Sequence, residues 1–360
     1  MSAEPPVPET RVLAIASHVV SGHVGNKIAV FAMQSLGCDV AALNTVQFSN
    51  HTGYKQWRGT RTSAEEIWDI FEGLKQSYLD NFDMMLSGYV PGAAAVQAVG
   101  RIAEELRNRK MANPGDFFWV LDPVMGDNGK LYVADDVAPE YKKLLSHADL
   151  ILPNQFEAEL LSGVKIKNME TLERAIQVLH EQFQVPHIVI TSVSLSHPNH
   201  PPSSLSVIGS SRTSTGQART FKIVFPSIDC YFSGTGDMFG ALMVVRMREA
   251  VTNAPDAATL LQRRAWLSDD SVDAIDLPLA RAAEKVLASM HEVLTKTCDG
   301  LEVQMQAAEA TLDRHGVTGD AERAKALHLL KSGAAELRLP RNVNSLRSPT
   351  VSFHAVKMQE

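Results

Sequence analysis

Segments with the pattern of β-strands alternate with segments with the pattern of α-helices, and this alternation limits the fold more than any other sequence feature. The β-branched run RVLAIASHVV breaks at Gly22 and Gly25, and the next segment, KIAVFAMQSLG, has helical spacing and ends at a glycine. The same order recurs, with strands predicted at 39–48, 84–90, 116–124, 148–154 and 186–193 and helices at 63–79 and 95–110. Repeated β-α units predict an α/β fold with a mostly parallel central sheet, helices on both faces, and ligands at the carboxyl ends of the strands.

Three stretches depart from this alternation. Residues 203–225 contain two alternating strands around a Ser/Thr/Gly turn, which predicts a β-hairpin. Residues 250–280 are polar and interrupted by proline, which is typical of a surface insertion with some helix, and the tail after residue 337 has little periodicity. We therefore predict a disordered N-terminus at 1–10 and a single domain at 11–360 with an insertion at about 250–280.

Charge and cysteine content exclude several classes of function. A formal net charge of -7 provides no basic surface for nucleic acid and disfavours an anionic membrane. The acidic, proline-containing N-terminus predicts no secretory signal, and the longest apolar runs are too short to span a bilayer. Three widely spaced cysteines, Cys38, Cys230 and Cys298, argue against a disulfide framework and against a cysteine metal site. We expect a cytoplasmic protein whose partner is a small molecule.

The segment FSGTGDMFG, at 232–240, places an acid directly after two glycines and before an apolar run. One interpretation is structural: a helix begins here and carries Asp237 in its first turn. A second interpretation is a dinucleotide-binding fingerprint, but the glycines do not follow the first strand and lack G-x-G-x-x-G spacing. In the third, N–H groups near Gly234 and Gly236 bind an anion at a helix N-terminus while Asp237 takes a proton from an attacking hydroxyl. That chemistry is phosphoryl transfer to an alcohol.

Acids and amides also follow two of the predicted strands. Asp122 and Asp127 lie in DPVMGD, and Asn154 and Glu157 lie in LPNQFEAELLSG. Mg²⁺ is usually held by one or two carboxylates, with water and phosphate oxygens completing its octahedron. The alternatives are that the aspartates are solvated loop acids and that Asn-x-x-Glu is the spacing of a capping box. Because strand ends converge in a parallel sheet, we expect these side chains to share one site.

Seven motifs follow one another in the order found in one family of small-molecule kinases. They are ASHVVSGHVGN, VQFSNHTGY, SGY, DPVMGD, LPNQFEAELLSG, ITS and SGTGD. With these motifs the chain resembles the pyridoxal kinases of the ribokinase-like superfamily, from Arg11 to LRLPRNV and beyond, except at 250–280. GTGD is typical of the whole superfamily, whereas SHVVSGHVGN with QFSNHTGY is typical of its vitamin B6 branch. The nearest alternative, the hydroxymethylpyrimidine kinases, typically has a glycine-richer first loop with an early Ser-Asp, which this chain lacks.

The resemblance implies a ribokinase-like three-layer fold and ATP-dependent phosphorylation of the 5'-hydroxyl of pyridoxal, pyridoxine or pyridoxamine. It implies that Asp237 is the general base, and that an anion hole around the transferring phosphate is formed by Gly234, Thr235 and Gly236. Besides Asp237, the positions that it implies around the pyridine ring are Ser17, Val24, Phe48, Thr52 and Tyr89. Hydroxyl groups can bond the polar atoms of such a ring, and apolar and aromatic groups can cover its faces.

For the nucleotide and its ions, the resemblance implies a second group of residues. Asp122 matches the family acid associated with ATP and a monovalent cation, and Asp127 matches the acid near Mg²⁺. Asn154 and Glu157 match the element that organises metal and phosphates, so the implied metal ligands are Asp127, Glu157 and Asp122. Further nucleotide contacts are implied at Thr191, Ser192 and Thr235. The implied ligands are ATP, Mg²⁺ or another divalent cation, and K⁺ or Na⁺, and the implied assembly is a homodimer.

The chain departs from the family pattern before Pro-Asn, where many members have threonine. It has Leu152, whose side chain offers no oxygen. A monovalent cation at this position would therefore depend on a backbone carbonyl.

Two other classes of function account for fewer of these motifs than a kinase does. A nicotinamide-dependent oxidoreductase is suggested by GTGDMFG alone, but the position of the glycines argues against it. A catalytically silent relative that only binds the vitamer would not need Asp237, Asp127 and Glu157, which are all present.

The sequence also predicts the acidity of the proposed base. A carboxylate at a helix N-terminus tends to have a lowered pKa, which would leave Asp237 ionised but weakly basic. Most of the rate would then come from in-line positioning and from neutralisation of phosphate charge.

Overall fold

The predicted strands are present in the computed structural model, which describes residues 4–195, 203–314 and 319–358. The strands are β1 (Arg11–Val19), β2 (Asp39–Phe48), β3 (Gly59–Arg61), β4 (Met84–Ser87), β5 (Phe118–Leu121), β6 (Gly126–Asp127), β7 (Lys130–Leu131), β8 (Leu150–Ile151), β9 (His187–Val193), β10 (Ser204–Arg212), β11 (Ala218–Pro226) and β12 (Val356–Lys357). β5 and β8 end before the predicted bounds because Pro123 and Pro153, which cannot donate to a strand ladder, lie two residues beyond their ends.

Helices occupy most of the connections between the strands. They are α1 (Asn26–Ser35), α2 (Ala64–Gln76), α3 (Ala93–Arg109), α4 (Val137–Leu144), α5 (Gln155–Ser162), α6 (Met169–Gln182), α7 (Thr235–Thr252), α8 (Ala257–Leu260), α9 (Pro278–Arg314), α10 (Asp320–Ala334) and α11 (Val343–Arg347). At the start of α2, Ser63 and Glu66 form a capping box that satisfies two otherwise unpaired N–H groups. Within the described ranges, no helix is both long enough and apolar enough to cross a membrane.

One ten-stranded sheet has the order β12-β11-β10-β9-β8-β5-β4-β1-β2-β3. Neighbouring strands from β9 to β2 are parallel. The flanking pairs β9–β10, β10–β11, β11–β12 and β2–β3 are antiparallel, so the predicted hairpin is confirmed as β10–β11. The parallel part brings the carboxyl ends of six strands to one edge of the sheet.

Helices cover both faces of this sheet and enclose two hydrophobic cores. Val12 and Ala14 of β1 point into the core formed with α1, α7 and α9. Leu13 and Ile15 point into the opposite core, which contains side chains of α2 to α6. Successive residues of a strand face opposite sides of a sheet, so a strand buried on both faces must be apolar throughout. The predicted α/β fold with helices on both faces is therefore confirmed.

The stretch 250–280, predicted to be a surface insertion, contributes to the core. Trp266 is 1% exposed and stacks on Phe118 of β5, with ring centroids 4.2 Å apart. Its Nε1–H donates to the carbonyl oxygen of Gly115 at 2.8 Å. Leu260, Ala265 and Leu277 of the same stretch are buried as well. These apolar side chains are scattered among charged residues without a regular period, which is why the sequence suggested a surface segment.

Both ends of the described chain pack onto the domain. Val7 lies in the same core as Leu36, within the segment 1–10 that the sequence predicts to be disordered, while residues 1–3 lie outside the described residues. In the aperiodic C-terminal tail, Leu339 and Leu346 are buried, and β12 adds an edge strand to β11. The elements of the tail are short, with five residues in α11 and two in β12, so no helical or strand period is repeated long enough to appear in the sequence.

Two buried histidines join β9 and α6 to the hairpin. His180 Nδ1–H donates to the carbonyl of Val185 at 2.7 Å, and its Nε2 lies 2.8 Å from the hydroxyl of Ser210. His187 Nε2–H donates to the carbonyl of Ala265 at 2.7 Å, and its Nδ1 accepts from a serine hydroxyl. Burial lowers the pKa of each histidine to about 4, so both are neutral at physiological pH.

We predict that these histidines destabilise the folded state in mild acid. In the unfolded chain each histidine is protonated near pH 6.5, but in the folded chain it stays neutral until near pH 4. Each histidine therefore lowers the free energy of unfolding by up to about 3 kcal/mol as the pH falls across that window. Urea unfolding of wild type and His187→Gln at pH 7 and pH 5 measures this: the loss between the two pH values should be smaller in the variant. The exposed His354→Gln is the control, and equal pH dependence in all three proteins would contradict the prediction.

Candidate active site

A cleft of about 1090 Å³ lies at the carboxyl ends of the parallel strands. Every residue that the sequence predicted for a catalytic, vitamer, nucleotide or metal role lines it, namely Ser17, Val24, Phe48, Thr52, Tyr89, Asp122, Asp127, Asn154, Glu157, Thr191, Ser192, Gly234, Thr235, Gly236 and Asp237. These residues come from the ends of strands between β1 and β9, from the segments that follow those strands, and from the start of α7. Asp122, Asp127, Asn154 and Glu157, which the sequence predicts at converging strand ends, lie along this one cleft, whereas the individual roles of all these residues stay predictions.

The glycine loop before α7 supplies backbone donors to the cleft. Gly234 precedes the helix with a φ of 80°, in the left-handed region, and a side chain there would meet the carbonyl oxygen of His23 at 2.5 Å. No side chain of Gly234 or Gly236 therefore separates the first N–H groups of α7 from the cleft. Those N–H groups have no partner within the helix, and with the helix dipole they favour an anion. We call residues 234–236, which are the N-cap and the first two residues of α7, the anion loop.

Asp237, in the first turn of α7, has an environment different from the one that the sequence predicts. The prediction that the helix N-terminus lowers the pKa of Asp237 is wrong, because burial raises this pKa to about 6. A hydrogen bond from the N–H of Gly25 lowers it, but by less than desolvation raises it. Asp237 is thus ionised at neutral pH and is a better proton acceptor than an exposed aspartate.

Asp122 and Glu157 are two further carboxylates buried beneath the cleft. They are 8% and 3% exposed. Burial and the charges of Glu157 and Asp237 raise the pKa of Asp122 well above its usual range, and burial raises the pKa of Glu157 to about 7. Both carboxyl groups therefore tend to hold a proton near neutral pH, and a cation that arrives with a nucleotide would favour their ionised forms.

Glu157 and Asn154 form the capping box that was one of the alternatives at this motif. Asn154 Oδ1 accepts from Glu157 N–H at 2.9 Å, and Glu157 Oε2 accepts from Asn154 N–H at 2.9 Å. Glu157 Oε1 also accepts from the N–H of Met125 at 2.8 Å and of Gly126 at 3.3 Å, while Asn154 Nδ2 donates to the carbonyl of Gly126. The capping and site interpretations are therefore compatible, because the same pair holds the loop that carries Asp127.

The carboxylates fit a divalent cation that arrives with phosphate groups. Asp127 is exposed, and its two oxygens accept from the backbone and side chain of Asn128 at 2.7 and 3.0 Å. Among the described residues, no three His, Cys, Asp or Glu side chains are arranged to hold a metal by themselves. Mg²⁺ commonly takes only one or two protein carboxylates and completes its shell with water and phosphate oxygens, so this donor set suits it.

One end of the cleft is apolar. Val19, Val24, Val46 and Phe48 form a small buried cluster, and Tyr89 packs against it. The hydroxyls of Ser17 and Thr52 and the ring of Trp57 line the same cleft. An apolar pocket with a few polar groups is suited to a small aromatic ligand that carries hydroxyl or ring-nitrogen substituents.

The other end of the cleft is formed by the ends of β8 and β9. Thr191 is held by its N–H, which donates to the carbonyl of Pro153 at 3.0 Å, and Ser192 follows it. Leu152 is 2% exposed and also lines the cleft. Its apolar side chain removes an oxygen ligand at this position, as the sequence indicates.

Several residues that line the cleft belong to none of the roles predicted from the sequence. They include His51, Lys55, Trp57, His328 and Lys331. His51 lies inside the motif QFSNHTGY, which was a signal that could have identified it. His328 and Lys331 lie on α10, far along the chain from the β-α repeats, and no local pattern indicates that this helix reaches the cleft.

Known proteins share this architecture. The family model described as phosphomethylpyrimidine kinase matches residues 83–259. Pyridoxal kinase from Homo sapiens is 33% identical over 356 residues, which cover 96% of this chain and 98% of that protein. Pyridoxal kinase from Ovis aries is 37% identical over 298 residues, which cover 80% and 86%. The solved structure of pyridoxal kinase from Leishmania donovani in complex with ADP and pyridoxamine has a TM-score of 0.75 and 29% identity, and the match covers 98% of this chain and 100% of that one.

We predict that Glu157 stabilises the fold through the loop it holds. Glu157→Ala would leave three backbone N–H groups without their acceptor and should lower the free energy of unfolding by about 2–4 kcal/mol. Urea unfolding at pH 8, where Glu157 is ionised, measures this. Glu170→Ala, at an exposed position in the first turn of α6, is the control; an equal effect of the two substitutions would show that the loop contacts are not important for stability.

Proposed function

This chain belongs to the pyridoxal kinase family, and from that premise we propose how its cleft catalyses the ATP-dependent phosphorylation of vitamin B6 vitamers. The observation that carries the proposal is the position of Asp237. It lies in the first turn of α7, directly after the anion loop, and accepts a hydrogen bond from Gly25 of the loop that follows β1. This position supports Asp237 as the base, because a hydroxyl from the apolar end of the cleft and a phosphate at the anion loop would meet beside it.

The vitamer occupies the apolar end of the cleft, and the nucleotide the opposite end. Phe48, Val24 and Tyr89 cover the pyridine ring, and Ser17 and Thr52 bond its polar atoms. Thr191, Ser192 and Asn154 contact ATP. The Leishmania donovani neighbour binds ADP and pyridoxamine, which supports placing a nucleotide and a vitamer together.

The transfer is a displacement at the γ-phosphorus. Asp237 accepts the proton of the 5'-hydroxyl as that oxygen forms its bond to phosphorus, and the bond to the β-phosphate oxygen breaks to release ADP. Backbone N–H groups of Gly234, Thr235 and Gly236 stabilise the charge on the transferring oxygens. General-base help contributes about 10²- to 10⁴-fold, so positioning and charge stabilisation supply most of the rate.

Three acids organise the ions of the nucleotide. Asp127 is exposed to the cleft and would hold Mg²⁺ together with phosphate oxygens. Glu157 fixes the loop of Asp127 and adds negative charge beneath it, and Asp122 would face the monovalent cation. When bound, the divalent ion neutralises phosphate charge. K⁺ or Na⁺ would depend on backbone oxygens at Leu152.

Hydroxymethylpyrimidine kinase is the second candidate function, because the matching family model is described as phosphomethylpyrimidine kinase. The hydroxyl group of either substrate, the vitamin B6 vitamer or hydroxymethylpyrimidine, would face the same base, Asp237. A homodimer and a cytoplasmic location stay predictions from the sequence and its family resemblance.

We predict that Asp237→Ala and Asp237→Asn retain ATP binding but lose turnover by at least about 100-fold. The purified chain would be incubated with ATP, Mg²⁺, K⁺ and either pyridoxal or hydroxymethylpyrimidine while ADP release is followed. Asp135→Ala, at an exposed position outside the cleft, is the control. Near-normal turnover in the Asp237 variants would contradict the assignment of the base, and phosphorylation of hydroxymethylpyrimidine alone would replace the proposed substrate.

The raised pKa of Asp237 predicts a specific pH dependence. Only the ionised carboxylate accepts a proton, so kcat/KM for the vitamer should fall as the pH drops through about 6 and should be level above it. Steady-state rates from pH 5 to 8 measure this limb. The residual activity of Asp237→Asn should be level over the same range, which separates the titration of Asp237 from that of ATP. A fall in the wild-type kcat/KM that is centred near pH 4 instead of about 6 would contradict the prediction.

A further inference from the structure

Three polar contacts from other parts of the chain converge on Glu336, which lies just after α10. Its Oε2 accepts a hydrogen bond from the backbone N–H of His23 at 2.7 Å. Its Oε1 lies 3.1 Å from Nε2 of His51 and accepts from the hydroxyl of Tyr54, also at 3.1 Å. The partners His23 and Tyr54 are 313 and 282 residues away in the sequence, so the contacts depend entirely on the tertiary fold.

These contacts join the C-terminal part of the domain to two loops at the apolar end of the cleft. His23 directly precedes Val24, and His51 directly precedes Thr52. Val24 and Thr52 both line the cleft. A single carboxylate, Glu336, thus fixes the neighbours of two of the five residues proposed to surround the pyridine ring.

His51 is held in one orientation and one tautomer. Its Nδ1 accepts from the N–H of Gly53 at 3.2 Å, so the proton of the neutral ring lies on Nε2, which donates to Glu336. The ring packs against Tyr54, with centroids 4.7 Å apart. His328 of α10 approaches the carbonyl of Gly53 with its Nε2 at 3.0 Å, which adds a second link between this loop and the C-terminal part.

The Glu336 carboxylate is closely enclosed. Gly22 has a φ of 99°, and a side chain there would overlap the carboxylate. Burial alone would raise the pKa of Glu336, but hydrogen bonds from His51 and from the N–H of His23 outweigh it and lower the pKa. The group is therefore ionised at neutral pH and makes charge-assisted hydrogen bonds, which are the stronger kind.

We infer that Glu336 is a positioning residue for the vitamer: acting through His51 and the N–H of His23, it holds the loops 20–25 and 49–58 in the conformation that binds the pyridine ring. A loop that is already ordered loses less conformational entropy on binding, so removing the carboxylate weakens binding even though Glu336 itself does not line the cleft. This inference rests on the proposed function, because it assigns the apolar end of the cleft to the vitamer.

Glu336→Ala should raise KM for pyridoxine by about 10-fold while KM for ATP changes by less than about 2-fold. A substitution that merely unfolds part of the protein would lower the apparent kcat and leave both KM values unchanged. Glu336→Gln, which keeps one acceptor oxygen, should lie between wild type and Glu336→Ala. Glu322→Ala, at an exposed position of α10, is the control and should match wild type.

Two substitutions of His51 test the roles of its two ring nitrogens one at a time. The amide of His51→Gln can reach the position of Nε2 and keep the contact with Glu336, whereas His51→Asn can replace only Nδ1 and keep the contact with Gly53. The glutamine variant should therefore bind pyridoxine more tightly than the asparagine variant. If Glu336 acts through His51, the two substitutions are not independent. The pyridoxine Kd of the double variant Glu336→Ala/His51→Asn should then exceed that of wild type by a factor clearly smaller than the product of the two single-variant factors.

Calorimetric titration of pyridoxine measures binding independently of turnover, and pyridoxine has no aldehyde that could form an imine with Lys55 or Lys331. An unchanged pyridoxine Kd in Glu336→Ala, or effects that multiply independently in the double variant, would overturn the inference. A wild type that binds pyridoxine without phosphorylating it would overturn the proposed function instead, and the Kd series would still test Glu336. A wild type that does not bind pyridoxine would overturn both.

Discussion

The parallel pairing of the central strands is the constraint on which the site depends. Strands that run in the same direction must be joined by crossovers, which place helices on both faces and bury the strands completely. The carboxyl ends of these strands and the loops after them then meet at one edge. Each contributes one or two groups to a single cleft, such as Ser17, Tyr89, Asp122, Asn154 and Thr191. The parallel pairing thus explains two features of the sequence: the apolar strands, such as MMLS and FWVL, and the polar residues that follow them.

Burial determines the electrostatics of this cleft. Asp237 lies at a helix N-terminus, which favours its charge, yet desolvation has the larger effect and raises its pKa. Asp122 and Glu157 are shielded from water by the same layers, and their pKa values rise as well. Carboxylates held in this way cost folding free energy, and they make the cleft suited to a nucleotide that brings cations with it.

The fold and the strand-end groups could be predicted because they depend on local patterns. Apolar runs, glycine loops and the GTGD motif each have a signature within about ten residues. The pKa of Asp237 could not be predicted, since it depends on how many atoms from distant segments exclude water. Trp266 and Glu336 were missed for a related reason: each acts through contacts with residues more than a hundred positions away, in segments whose own composition is unremarkable.

A crystal structure with pyridoxine and a non-hydrolysable ATP analogue would test most directly whether one cleft brings the hydroxyl, the base and the phosphate together. We expect the 5'-hydroxyl oxygen within hydrogen-bond distance of the Asp237 carboxylate, about 2.6–3.2 Å, with the terminal phosphate facing the N–H groups of the anion loop. A hydroxyl directed away from Asp237, or a phosphate bound elsewhere than residues 234–236, would contradict this mechanism.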